Sequence, residues 1–193
     1  VFCEQGAFNL EQTRMVMTAA KQLGFQLKAH VDEFENLGGA QLAAGMDAIS
    51  IEHAVKTSAS DIKALGNSGT LIVSLPCTPF GLAQVDYSPA KEMLAADCLL
   101  ALATDLNPGT AWCESMQFVM ALACRYLKLT PAQALAASTI NAAAAIGRQE
   151  RIGSIEAGKQ ADLLILSVED YRHLGYRFGG NLVDKVIKKG KIA

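Results

Sequence analysis

Three short stretches of this chain hold residue types that could do chemistry. They are His30-Val31-Asp32-Glu33, Glu52-His53 and Thr104-Asp105-Leu106-Asn107-Pro108-Gly109-Thr110, and each follows an apolar run. Imidazole and carboxylate are the usual ligands of zinc or iron, and such an ion depresses the pKa of a bound water. Each residue also has a plainer reading. A histidine at a strand end is more often a hydrogen-bonded structural group than a ligand. Asp105 before Asn-Pro-Gly suits a turn, and Glu33 suits a solvated loop. The chain has 3 histidines, and two of them fall in this series. His, His and Asp at the ends of three strands together favour a metal-hydrolase site, although singly each plain reading is the better one. His173 lies outside the series and reads as structural. Gly38-Gly39 lacks the Lys and the spacing of a phosphate loop. Gly109-Thr110 would let a ligand approach the backbone and offer N–H groups to a carboxylate.

The elements that must position these residues follow from hydrophobic pattern. Residues 25–29, 48–51, 71–75 and 99–103 read as strands buried on both faces, and residues 1–3 as the tail of another. Their spacing is that of successive βα units in a parallel sheet. The segments between read as helices. Asn9 with Gln12 begins one that Gly24 ends, and Ser58 with Asp61 begins a second that closes near Gly69. Pro89 suits the first turn of a third. Thr130-Pro131-Ala132-Gln133 is a capping box with proline at the first helical position, and an Ala-rich run continues to Ala145. After Gly147, residues 162–168 and 183–188 read as strands with no helix between them, in a second, β-rich region. Five βα units suit a doubly wound sheet, complete at that size, or the second half of a (β/α)8 barrel, which needs about 250 residues. Composition does not separate the two. In both, catalytic groups gather beyond the carboxyl ends of the strands.

At 51% hydrophobic and 19% charged, the 193 residues can bury a core. A net charge of −2, with no basic run beyond Lys188-Lys189, argues against a nucleic-acid or anionic-membrane partner. No apolar stretch reaches the length of a membrane span. No signal peptide is visible, which carries little weight because the chain opens at Val1. Five scattered cysteines without a CxxC pair fit a reduced, cytoplasmic setting.

In order and spacing, the sequence resembles the imidazolonepropionases, a branch of the amidohydrolases. The resemblance rests on His30-Val31-Asp32-Glu33-Phe34, Asn36-Leu37-Gly38-Gly39, Glu52-His53 and Thr104-Asp105-Leu106-Asn107-Pro108-Gly109. Thr130-Pro131 through Thr139-Ile140-Asn141, the 153–162 stretch and 176–182 extend it across essentially the whole chain. Gly153-Ser154-Ile155-Glu156-Ala157-Gly158 marks only the wider superfamily, whereas the His-x-Asp-Glu-Phe and Thr-Asp-x-Asn-Pro-Gly motifs together are more specific.

The resemblance implies an α/β fold. Residues 1–147 would form about strands four to eight of a (β/α)8 TIM-type barrel, and residues 148–193 the C-terminal strands of a small β-sandwich. It implies hydrolysis of 4-imidazolone-5-propanoate to N-formimidoyl-L-glutamate with one zinc or iron ion. By the same resemblance His30 and Asp105 are metal ligands, Glu33 and His53 catalytic beside Asp105, and Glu33, Asn107, Gly109 and Thr110 contact the substrate. The family's His-x-His ligand pair and the groups that grip the substrate carboxylate have no counterpart here. The partners expected are therefore a small-molecule substrate and either a second copy or a missing N-terminal half. Two other readings stand beside this one: another amidohydrolase, such as a nucleobase deaminase or dihydroorotase-like enzyme, and a non-catalytic half that needs a separate partner.

Overall fold

A computed structural model describes residues 1–193. Five strands form one parallel sheet: β1 (Phe2–Cys3), β2 (Lys28–Val31), β3 (Ser50–His53), β4 (Leu71–Ser74) and β5 (Leu100–Leu102). They lie side by side in chain order, each parallel to the next. No strand order reverses, so the doubly wound alternative, which needs a switch point, is excluded. β1 pairs only with β2 and β5 only with β4, so the sheet does not close into a barrel. β2 and β3 begin two or three residues later than the apolar runs suggested. Pairing sets these bounds: Phe2 lies opposite His30 and Val31 opposite His53. His30 and His53 therefore stand inside the last turns of the pleat, where the ladder fixes their backbones.

The connections are helical. Between β1 and β2 runs α1 (Leu10–Gln22), then α2 (Gly39–Gly45) before β3 and α3 (Ala59–Gly66) before β4. α4 (Cys77–Gly81) and α5 (Ala90–Ala95) lie between β4 and β5. After β5 come α6 (Met116–Arg125), α7 (Pro131–Ser138) and α8 (Ile140–Ala144). The expected starts hold at Asn9 and Thr130, both with complete capping boxes, and at Ser58, whose side chain accepts from Asp61 N. α3 stops at Gly66, three residues before the expected Gly69. At Gly66 an added Cβ would stand 1.9 Å from the carbonyl oxygen of Ala96, so only glycine fits where the helix ends against its neighbour. The Ala-rich run is broken at Thr139, whose hydroxyl donates to Leu135 O at 2.7 Å and so competes with the helical ladder.

The core alternates along β4. Ile72 belongs to a cluster of 31 buried residues between sheet and helices, whereas Leu71, Val73 and Leu75 join Ala101 and Ala145 in a cluster of 5 on the other face. Both faces are thus buried there, as the continuous apolar run implies.

Beyond residue 147 the chain forms a three-stranded antiparallel sheet of β6 (Leu163–Leu166), β7 (Val183–Lys188) and β8 (Lys191–Ile192). No second sheet faces it within these residues. One expectation is corrected here: a short helix, α9 (His173–Tyr176), stands between β6 and β7. Tertiary contact produces it. The Arg125 guanidinium on α6 donates to Gly175 O at 2.9 Å and Tyr176 O at 3.1 Å, capping the end of α9. Arg125 is therefore a clamp rather than a surface charge. Leu174 and Leu182 join the large core cluster, tying this region to the sheet.

Candidate metal centre

The carboxyl ends of β1, β2, β3 and β5 bring their following residues together. His30 Nε2 lies 3.3 Å from Glu33 Oε2 and 3.7 Å from Glu4 Oε2. His53 Nε2 lies 3.9 Å from Glu33 Oε2 and 3.8 Å from Asp105 Oδ2. The two imidazole rings stand 4.2 Å apart, and Phe2 packs on His30 at 3.5 Å. The ligand atoms of His30, Glu33 and His53 all lie within 4.8 Å of one another. Asp105 stands outside that group and reaches it through His53.

The backbone that holds these groups is strained. Asp32, His53, Ala54 and Asp105 take φ of 55°, 72°, 53° and 54°, the left-handed region that side chains disfavour by about 1–3 kcal/mol each. Specific bonds hold Asp32, His53 and Asp105 in place. Thr57 Oγ1 donates to Asp32 Oδ2 at 2.8 Å, and Lys56 N donates to Asp32 O at 2.8 Å. Ser88 Oγ donates to His53 O at 2.7 Å and is itself bonded to Ser74 Oγ. Thr78 Oγ1 donates to Asp105 Oδ2 at 2.6 Å, and Asn107 Nδ2 to Asp105 O at 2.8 Å.

Burial governs the charges. It pushes the His30 imidazole down to about 3, with His53 and the N-terminal ammonium acting in the same direction. His53 is also lowered by burial, against the opposing pull of Asp105 and Glu4. Burial pushes the Glu33 carboxyl up to about 7, and Asp105 and Glu4 add to the rise. Asp32 rises to about 6 for the same first reason, opposed by the Thr57 hydrogen bond. The close approach of His30 to Glu33 is therefore not an ion pair at neutral pH.

These residues fit a cation. His30 Nε2 and His53 Nδ1 are buried without any hydrogen-bond partner. An orphaned buried nitrogen costs free energy, which a metal bound to its lone pair would remove. Neutral imidazoles beside carboxylates are the donor set of zinc or iron.

The expected substrate-side residues are placed differently. Asn107 Oδ1 accepts from Gly109 N at 2.9 Å and Thr110 N at 2.8 Å, and its amide donates to Thr110 Oγ1 at 3.1 Å. The amide of Asn107 is thus spent within its own loop, and the N–H groups expected to face a ligand are already occupied. Glu4 and Thr78 were missed. Glu4 follows the first strand directly, so the strand-end rule applied there would have found it. Thr78 has no sequence signal, because it stands in α4 and its partner lies in the loop beyond β5, 27 residues on.

The amidohydrolase family model matches residues 4–193. The chain belongs to the amidohydrolase family. Among curated amidohydrolases it is 54% identical over 192 residues to the imidazolonepropionase of Herpetosiphon aurantiacus, covering 100% of this chain and 45% of that protein. It is 46% identical to the imidazolonepropionase of Porphyromonas gingivalis, with coverage of 100% and 45%. The chain spans less than half the length of these relatives, the share that a C-terminal portion of an imidazolonepropionase requires. Among solved structures it resembles an adenosine deaminase from Xanthomonas campestris with bound zinc, at a TM-score of 0.81 and 24% identity over 96% of this chain and 49% of that one. It also resembles the guanine deaminase of E. coli, at a TM-score of 0.75 and 16% identity over 96% and 52%. These last two likenesses show the shared amidohydrolase fold.

No helix is long and apolar enough to cross a membrane.

Proposed function

We propose that the protein containing these residues hydrolyses the cyclic amide 4-imidazolone-5-propanoate to N-formimidoyl-L-glutamate, a step of histidine degradation. What carries this reading is the gathering of His30, Glu33, His53 and Asp105 at one end of a parallel sheet, in a chain 54% identical to an imidazolonepropionase. One zinc or iron ion, with His30 and Asp105 among its ligands, would supply a water of lowered pKa and a Lewis acid. The other ligands, and the groups that grip the substrate carboxylate, would come from outside residues 1–193.

The chain's own residues do the rest. Opening the ring requires a proton on the departing nitrogen. Glu33, buried against both imidazoles, is placed to hold that proton and hand it on. His53 stands between Glu33 and Asp105 and would steady negative charge developing on the ring oxygen. Asn107 shapes the 105–110 loop, whose Gly109 and Thr110 would form one wall against the substrate. In the same reading residues 1–147 are part of a barrel completed from outside, and 148–193 contribute strands to a composite β-sandwich. The enzyme would work in the cytoplasm, as a homodimer or with the completing half supplied separately.

The test is an assay of the full-length, metal-loaded protein for loss of the imidazolone ring and appearance of N-formimidoyl-L-glutamate. Turnover of adenosine, guanine or dihydroorotate, with none of imidazolone propionate, would overturn the assignment. Residues 1–193 expressed alone should show no useful turnover, because an incomplete ligand set cannot fix a metal with one open position. Supplying the N-terminal half in trans should restore metal binding and hydrolysis together.

A further inference from the structure

One buried carboxylate has no part in the mechanism above. Glu4 is 2% exposed, just past the end of β1. The parallel register sets Cys3 opposite Val31, so Glu4 emerges beside the turn that follows β2. There its two oxygens accept three successive backbone N–H groups: Glu33 N at 2.8 Å, Phe34 N at 3.2 Å and Glu35 N at 3.0 Å. None of these N–H groups donates to a backbone carbonyl. The turn begins with left-handed Asp32, which aims the following N–H groups inward as an anion-binding concavity. Glu4 is itself held, since its N–H donates to Phe8 O at 3.2 Å and its carbonyl accepts Ala7 N at 3.0 Å. Charge-assisted bonds of this kind are stronger than neutral ones.

We propose that Glu4 is a positioning residue, which clamps the 33–35 turn so that the Glu33 side chain stays against His30 and His53. The proposal rests on the reading of Glu33 as the proton carrier. Its geometric half does not: a turn whose N–H groups have no backbone acceptor is fixed by one carboxylate from the segment that follows β1. Without the clamp the turn has three unsatisfied donors next to the site, and the Glu33 backbone is free to move. Glu4 also stands 3.7 Å from His30 Nε2, so exchange at residues 33–35, which reads the turn directly, is the measurement that isolates the clamp.

Amide hydrogen exchange on the full-length protein tests the clamp with neither substrate nor metal. In the unsubstituted protein the amides of Glu33, Phe34 and Glu35 should be slowed about 10- to 100-fold relative to free chain, the equivalent of bonds to a charged acceptor. In Glu4→Gln, which keeps the size and removes the charge, that protection should fall while the paired amides of β3 keep theirs. In the imidazolone assay Glu4→Gln should lower kcat about 10- to 100-fold with little change in KM. Combined with Glu33→Gln it should cost nothing further, because both act through one group. Should Glu4→Gln not fold, Glu4→Asp, which withdraws the same charge by one methylene, carries the same comparison. Fast exchange at 33–35 in the unsubstituted protein would overturn the proposal, and so would losses that multiply in the double variant. Exchange as expected, in a protein that turns over a different cyclic substrate, would overturn only the functional reading.

Discussion

Replacing Thr78 by valine exchanges a donating hydroxyl for a methyl. Thr78 is fully buried, and its hydroxyl donates to Asp105 Oδ2 at 2.6 Å. Valine is of similar size, so no cavity opens, but its methyl cannot donate and cannot stand 2.6 Å from a carboxylate oxygen, so the Asp105 side chain must draw back. A hydrogen bond to a charged acceptor contributes about 1.5–3 kcal/mol. The Asp105 side chain is 25% exposed, so water recovers part of the loss, and about 1–2 kcal/mol is expected. In a chain of this length that lowers Tm by about 2–8 °C. The larger effect should be on metal binding. Asp105 sits at a positive φ of 54°, and without the Thr78 bond its carboxylate is free to rotate away from His53. Loss of such an outer partner typically costs about 10- to 100-fold in metal affinity. Zinc affinity of the full-length protein, measured by competition with a chromogenic chelator, should fall by that factor in Thr78→Val and recover in Thr78→Ser. If Thr78→Val binds zinc as tightly as the unsubstituted protein, the carboxylate is not oriented by this hydroxyl and the reasoning fails.

Other expectations follow from single contacts. Glu33→Gln should leave zinc affinity near its normal value and lower kcat about 10²- to 10⁴-fold, the range of a lost general acid or base; a loss of zinc instead would make Glu33 a ligand. Gly81→Ala places a Cβ 2.2 Å from the Thr110 carbonyl oxygen, so the 105–110 loop must move, at a cost of about 1–3 kcal/mol by calorimetry. An unchanged melting temperature would show that the loop is loosely held. Asp162 is held down to about 2, first by its hydrogen bond from Lys188 and then by the N–H of Lys189. Its folded value lies below the unfolded value of about 3.9, so its contribution is complete above that pH and is lost as pH falls through about 2. Amide shifts of β7 followed down in pH should show this step, and Asp162→Asn should abolish it.

How much of this was legible depends on whether the cause was local. Capping at Asn9, Ser58 and Thr130 is a matter of three or four neighbouring residues, and all three starts stand where the sequence puts them. The break at Thr139 and the helix α9 were not legible, since an alanine run hides the first and a clamp from Arg125 on another helix makes the second. The strand ends were legible as places, because a run buried on both faces must stop where polar residues begin. Their contents were legible only in part. His30, His53 and Asp105 show themselves by residue type, but the left-handed turns at Asp32, His53 and Asp105 depend on Thr57, Ser88 and Thr78, each in contact only after the sheet has assembled.

The same distinction explains the Asn107 loop. Asn-Pro-Gly reads equally as a turn and as a ligand-binding edge, and both readings use the same residue types. The structure gives the Asn107 oxygen to Gly109 N and Thr110 N, which is the turn reading. The turn in turn fixes Asp105, because Asn107 Nδ2 donates to the Asp105 carbonyl. The motif is then specific for a mechanical reason: the loop is a splint that presents one carboxylate at a strained φ. Substituting Asn107 should therefore act first on Asp105. Asn107→Ala should weaken zinc binding along with turnover, whereas a residue that only touched substrate would raise KM and leave zinc affinity unchanged. Zinc competition and Michaelis parameters measured on the same preparation separate the two.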